Sequence, residues 1–325
     1  MPQLRAGAFH LACLLTALVA AMPASAQSGY PSRAIKVSTP FAPGAASDIE
    51  LRLLAAKMSE RLKVPVVVEN HPGSGGVAAG RAVTNAPADG YTIGWVGNNT
   101  AIAVSLFRQP FDPRQDLRPI VGVSEFAYLF VTSASSPYKT LRDVIAAAKA
   151  KPNTLTIGTS SAGTSNHLTA FLFKISQDLD VTVVPYRGPS ELQVAMLSKE
   201  VDLVVNAYGG LRPAIAAQQV RALATTSAAR LPELPDVPTM REAGVGDFEI
   251  TSWNGLYGPK GMPDDVVATL EQAATAVLNE PELKARFKEI GFDAKPVPPA
   301  TFDARMRNEI DRWGKVISAA GIERQ

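Results

Sequence analysis

Cysteine is nearly absent: Cys13 is the single one in 325 residues. It lies inside an apolar leader, with His10 three positions before it where a lipoprotein signal needs a Leu-type residue. Beyond the leader, disulfides, cysteine-based metal sites and thiol catalysis are excluded. Histidine is almost as scarce. His71 and His167 are the two that follow the leader, without an H-E-x-x-H spacing, so neither a metal nor a cofactor is expected. An excess of one charge is lacking too: 32 Lys and Arg face 30 Asp and Glu, a net +2. No block of five like charges occurs, and no basic stretch interleaves with aromatics, so no nucleic-acid partner is expected. After the leader no apolar run is long enough to cross a membrane.

What is present first is that leader. Arg5 is the only charge before residue 27, Ala6 to Ala21 is almost wholly apolar, and Ala24-x-Ala26 has the small-residue spacing of a signal-peptidase site. Residues 1–26 are expected to be a cleaved signal, leaving a soluble periplasmic chain that starts at Gln27.

The remainder alternates short β-rich runs with amphipathic helices. Ile35 to Thr39 reads as a strand, and Ile49, Leu53, Leu54, Met58 and Leu62 then recur at helical spacing, with Ser47 and Glu50 as a capping box. Val64 to Glu69 and Tyr91 to Val96 read as strands around a small-residue helix that ends near Asn85. The grammar restarts after residue 130. Leu155 to Thr159, Val181 to Pro185 and Val201 to Val205 read as strands, and Leu168, Phe171, Leu172, Ile175 and Leu179 as one helical face. This predicts an α/β fold of two lobes, each a mostly parallel sheet covered by helices. Phe126–Thr132 and Phe248–Tyr257 read as crossovers. Lobe one would hold 27–128 and 252–325, and lobe two 129–251. The last 65 residues read as helical, with Pro263 and Pro281 in first turns, Gly291 as a stop, and a core stripe of Phe302, Met306, Ile310, Trp313 and Ile317.

Three loops share one design: each follows a strand, is rich in small residues and opens a helix. They contain Phe41, Pro43, Gly44, Ala45, Ser47 and Asp48; Ser74, Gly75 and Gly76; and Thr159, Ser160, Ser161, Gly163 and Thr164. In parallel sheets such loops gather at the carboxyl ends of the strands. Helix N-termini there present unpaired N–H groups and partial positive charge. Small side chains admit a ligand to that backbone, so the loops form an anion trap without Lys or Arg. Asp48, in a first turn, fits either a dipole-stabilised structural role or a ligand contact. His167 fits either packing or donation to a ligand.

Two chemistries can be weighed against this. Gly73-x-Gly75-x-x-Ala78 matches a dinucleotide fingerprint, but the strand that should end in an acidic residue ends in Gly97-Asn98-Asn99. Gly158-Thr159-Ser160-Ser161-Ala162 approaches a nucleophile elbow, but His167 follows too closely to complete a triad.

The motifs resemble a known family. Tyr30-Pro31-Ser32-Arg33, Phe41-Ala42-Pro43-Gly44…Asp48, Val67-Val68-Glu69-Asn70, Pro72 to Gly76 and Ala86 to Thr92 stand in order. They are followed by Gly163-Thr164…His167-Leu168, Val184 to Gly188, Val201-Asp202, Trp253 to Leu256 and the Pro-Asp-Asp-Val run at 263–266. This series, over about residues 30 to 320, is similar to Bug-type extracytoplasmic solute receptors of tripartite tricarboxylate transporters. The first loop carries less glycine than the family's usual P-F-x-P-G-G, having Ala42 and Ala45, and Asn98-Asn99 stand where a Ser/Thr cluster is usual. The resemblance implies a type 2-like periplasmic-binding-protein fold that holds a carboxylate between its lobes. Phe41 to Asp48, Ser74 to Gly76 and Asn98 would contact ligand from lobe one. Thr159 to Thr164, His167, Arg187 and Asn206 would contact it from lobe two, and Trp253 would wall the pocket. It implies no catalysis; as partners it implies a small organic acid or amino acid and the membrane permease subunits of the transporter, with the receptor a monomer. The rivals are an exported hydrolase and a ligand-sensing adaptor for a membrane signalling protein.

Overall fold

A computed structural model describes residues 29–72, 76–160 and 162–324, with backbone alone at Pro189 and Ser190. Residues 1–26, expected to be a cleaved signal, lie outside the described residues. Of the segment to Ser32, residues 29–32 are described, with a cis Tyr30–Pro31 peptide. Arg33 onward forms one compact unit.

The chain opens as read. β1 (Ile35–Thr39), α1 (Ala46–Leu62), β2 (Val66–Asn70), α2 (Val77–Thr84) and β3 (Thr92–Gly97) alternate, and β1 pairs in parallel with β2 and β3. α3 (Asn98–Leu106) follows β3 directly, and the single-turn α4 (Pro113–Asp116) leads into β4 (Leu117–Ser133). β4 is the longest strand because its Val, Ile, Phe and Tyr content favours extended chain and nearly all of it is buried. α5 (Leu141–Ala150), β5 (Thr156–Ser160), α6 (Ser165–Ser176), β6 (Thr182–Tyr186), α7 (Pro189–Leu197), β7 (Leu203–Ala207), α8 (Tyr208–Ala216) and β8 (Val220–Thr225) follow. The chain ends with β9 (Thr251–Pro259), α9 (Asp264–Leu278), α10 (Pro281–Glu289), β10 (Asp293–Val297) and α11 (Pro299–Ala319).

The strands are more mixed than the sequence pattern implies. β5 is parallel to β6 and β7, but β3–β9, β4–β9, β4–β7, β4–β8 and β4–β10 are all antiparallel. The reason is the two long strands, which return through the sheet instead of crossing over a helix. β4 pairs with β9 through Leu117–Ala127, then with β7 and β8 from Tyr128 onward. One strand thus belongs to both halves of the ten-stranded sheet. Its register on β9 shifts beside Pro119, which has no N–H to give to a ladder.

Several local expectations are corrected. The last 65 residues are not wholly helical, since β10 interrupts them. Pro263 is the N-cap of α9, whereas Pro281 does open α10. The Ser47–Glu50 capping box does not form: α1 starts two residues earlier than that box requires, its N-cap is Ala45, and Glu50 turns to the inner face. Leu54, Met58 and Leu168 of the expected stripes are buried as read, but Ile49 and Ile175 are exposed and Leu51 and Phe173 point inward instead. The α11 stripe of Phe302, Met306, Ile310, Trp313 and Ile317 is buried as read. Gly122 and Gly255 face each other across β4 and β9 and make the seat for Phe302. A Cβ on Gly255 would stand 2.2 Å from its ring.

Candidate functional site

Helices that follow strands in a parallel arrangement start at one end of the sheet, and six of them start around one cleft of 690 Å³. α1 brings Ala45, Ala46 and Ser47, α2 its N-cap Gly76, and α3 Asn98 and Asn99. From the other half, α6 brings Thr164, Ser165 and Asn166, α7 its N-cap Gly188, and α8 its N-cap Ala207 with Asn206 before it. None of these six caps accepts a bond from its own first turn through a side chain. Backbone donors and about half a positive charge per helix therefore converge on the cleft. Among the described lining residues Arg187 is the one with a charged side chain. Such a surface stabilises an anion through N–H groups.

Phe41, Ala45, Ser47, Gly76, Asn98, Ser160, Gly163, Thr164, Arg187 and Asn206 line this cleft. Ser74, Gly75 and Ser161 lie outside the described residues. The other expected contacts are placed elsewhere. Trp253 does not wall the cleft: successive strand residues face opposite ways, so Ser252 and Asn254 line it while Trp253 packs edge-on against Phe302. The same alternation buries Thr159 below Ser160. Pro43 and Gly44 are exposed residues of the first loop outside the cleft lining, and Asp48 is buried behind that loop. The Asp48 carboxylate accepts from the Gly44 N–H at 2.8 Å, Arg52 Nε at 2.9 Å and Asn70 Nδ2 at 2.7 Å. Burial would raise its pKa, but these donors outweigh it and hold it below the ordinary carboxylate value. Asp48 thus ties the loop to β2.

His167 lies behind the second wall, against Phe171, where its Nδ1 accepts from the Gly163 N–H at 3.2 Å. Burial pushes its pKa down to about 4. That acceptor role requires the neutral ring. Because the folded value lies below the ordinary 6.5, the stabilisation is complete above pH 6.5 and is lost as pH falls towards 4. Relative to His167→Gln, the wild type is expected to lose up to about 3 kcal/mol across that window, at 1.4 kcal/mol per pH unit. Urea unfolding at pH 7 and pH 4.5 checks it, and an equal acid loss in both proteins would refute it.

Ser160 is not paired with a base. Its hydroxyl accepts from Asn166 Nδ2 at 2.7 Å, and that amide also reaches Val205 O at 3.1 Å. Asn99 Oδ1 accepts from Ser165 N at 3.2 Å and Ser165 Oγ at 2.9 Å, joining α3 to α6 across the cleft. On the floor, Asn254 Nδ2 donates to Glu50 Oε2 at 2.7 Å and to Ser47 Oγ at 3.3 Å. Tyr128, whose pKa is pushed up to about 12 by burial, completes that floor with Phe126. Sequence reasoning missed Asn99, Asn166, Tyr128 and Asn254. Two pairs carried a signal: Asn98-Asn99, from which Asn98 alone was taken, and Trp253-Asn254 within a strand, where Trp253 was taken and Asn254 lines the cleft.

A two-half cleft walled by helix N-termini defines a solute-binding protein of the periplasmic type. The chain belongs to the tripartite tricarboxylate transporter family of receptors, whose family model matches residues 51–322. It is 34% identical over 292 residues to the "UPF0065 protein in tcbD-tcbE intergenic region" of Pseudomonas sp. strain P51, covering 89% of this chain and 86% of that one. It is 30% identical over 313 residues to protein BugT of Bordetella pertussis, covering 95% of each. Among solved structures, R. palustris Rpa4515 with adipate superposes with a TM-score of 0.82 at 30% identity, over 91% of this chain and all of that one. MatC (Rpa3494) from Rhodopseudomonas palustris with bound malate does so at 0.78 and 29% identity, over 89% and 100%.

Proposed function

We propose that this chain is an exported periplasmic receptor that closes around a small organic acid, performs no chemistry on it and delivers it to the permease subunits of a tripartite tricarboxylate transporter. The convergence of six helix N-termini on a cleft whose described lining has one cationic side chain supports this reading. The adipate and malate in the similar structures are small dicarboxylates, the class such a surface suits. Residues 1–26 would be removed after Ala26, and the mature monomer would hinge where β4 and β9 join lobe one (27–128 and 252–325) to lobe two (129–251). Phe41, Ala45, Ser47, Asn98 and Gly76 would meet the ligand from lobe one, and Ser160, Gly163, Thr164, Arg187 and Asn206 from lobe two.

A ligand that touches both lobes shifts the population towards the closed form. The test is a thermal-shift screen of dicarboxylates on protein unfolded, dialysed and refolded to remove carried-over ligand, followed by small-angle scattering. The best ligand, at about 100 times its Kd, should stabilise the fold by about 2.7 kcal/mol and reduce the radius of gyration. Stabilisation with an unchanged radius would refute hinge closure. Turnover of ester or amide substrates would refute the receptor reading.

A further inference from the structure

Asn98 is the first residue of α3, lines the cleft and is 1% exposed. Its side-chain Oδ1 accepts from the Trp313 indole Nε1–H at 2.9 Å, a bond made from α11 behind the cleft wall. An indole nitrogen donates and never accepts, so the bond fixes which end of the amide faces which way. Oδ1 must face α11, and Nδ2 must face away from it. That Nδ2 is buried and has no partner among the described residues. A buried amide donor without an acceptor costs free energy, which a ligand oxygen would recover.

We propose that Trp313 is a positioning residue of the binding site: its N–H locks the Asn98 amide so that Nδ2 stands as a fixed donor for a carboxylate oxygen of the ligand at the start of α3. This deepens the receptor reading and rests on it. The α3 N-terminus offers backbone donors at the same place, so donors of two kinds meet one acceptor group. The arrangement selects polarity as well as shape. A ligand ammonium at this point would meet donors with donors, so the group received here is an unsubstituted carboxylate end. Two more polar groups flank the indole: Glu309, one turn before Trp313 on α11, and Arg312, whose guanidinium lies 5.8 Å from the ring centre and 3.6 Å from the Glu309 carboxylate.

The test uses malate and adipate as probes, titrated by calorimetry into the full mature protein. Trp313→Phe keeps a ring in the core and removes the N–H; Asn98→Ala removes the donor; Asn98→Asp replaces it with a charged acceptor. Asn98→Ala should weaken the tighter probe by about tenfold to a hundredfold, the range for a hydrogen bond to a charged group. Trp313→Phe should weaken it by about threefold to tenfold, as the freed amide loses its orientation. In the Asn98→Ala background Trp313→Phe should have no further effect, whereas a merely structural role would make the two losses multiply. Asn98→Asp should bind more weakly than Asn98→Ala. Multiplying losses, or wild-type affinity in Trp313→Phe, would overturn the proposal. If neither probe binds the wild type, the receptor reading for these acids falls, and the Asn98 side-chain amide resonances in the free protein still decide the lock. They should shift and lose exchange protection in Trp313→Phe; unchanged resonances would overturn it.

Discussion

Replacing Glu50 by Gln is expected to make the protein progressively more stable than wild type as pH rises from about 4.5 to about 8. Glu50 is fully buried on the inner face of α1, beneath the cleft floor. Burial pushes its pKa up to about 8, only partly offset by Ser124 and Asn254. No charged group from α1, β4, β9 or α9 acts on it: Asp48 is bound to Arg52, Glu125 pairs with Lys295 and Arg305, and Asp264 pairs with Arg118. The folded value is therefore above the ordinary 4.5, so the folded state holds a proton that the unfolded state has released between those limits. Stability is complete below pH 4.5 and is lost as pH rises to about 8, where the folded protein ionises too. At 1.4 kcal/mol per pH unit the ceiling is roughly 5 kcal/mol. Gln has the same shape and cannot ionise, so the difference between the two proteins isolates this group. Chemical denaturation at pH 5, 6.5 and 8 would measure it. A difference that stays flat over that range would show that Glu50 is ionised in the native protein. Asn254 Nδ2 bonds both Glu50 and the cleft residue Ser47, so loosening this acid also loosens the floor.

The alternation of strands and helices, and the three small-residue loops, were legible because periodicity and turn chemistry are local. What was hidden depends on strand pairing. Nothing in Leu117–Ser133 says that its first half pairs with β9 and its second with β7 and β8, and without that the antiparallel half of the sheet cannot be read. The same limit explains Trp253. Its strand was recognised, but which of Ser252, Trp253 and Asn254 faces the cleft is set by register, and a shift of one residue exchanges the faces. Glu50 misled for a different reason. Ser-x-x-Glu is a sound local signal for a cap, and it was overridden because α1 began at Ala46 and carried the Glu into the core. The additional helix starts at α3, α7 and α8 follow strands whose ends were placed one or two residues short.

Gly209→Ala is expected to destabilise the protein by about 3 kcal/mol, near the upper end of the usual range for overpacking. Gly209 lies in the first turn of α8, directly after the cleft residues Asn206 and Ala207. A Cβ there would stand 2.2 Å from the Ile290 carbonyl oxygen and 3.0 Å from its carbon, both backbone atoms. Nothing on the other side can rotate out of the way, because the contact is with the turn that ends α10, where Gly291 has a φ of +87°. A Cβ on Gly291 would in turn stand 2.5 Å from Gly209 N. Two glycines thus let backbone meet backbone between α8, from the β7–β8 half, and the α10–β10 turn, from the β9 half. Around them Arg212 donates to the Glu289 carbonyl and Lys288 lies 3.2 Å from Glu233, so the steric contact is framed by polar ones. The methyl group can be accommodated only by moving α8, which would carry its N-terminus away from the cleft. Dicarboxylate affinity should therefore fall together with stability. Gly210→Ala is the control. Its Cβ would meet nothing nearer than the Asn206 side chain at 3.3 Å, and a helical Gly→Ala change gains up to about 1 kcal/mol in propensity. Urea unfolding of the two variants, with adipate calorimetry on each, separates the effects. If Gly209→Ala unfolds at the same urea concentration as Gly210→Ala, the two halves are not held together at this contact.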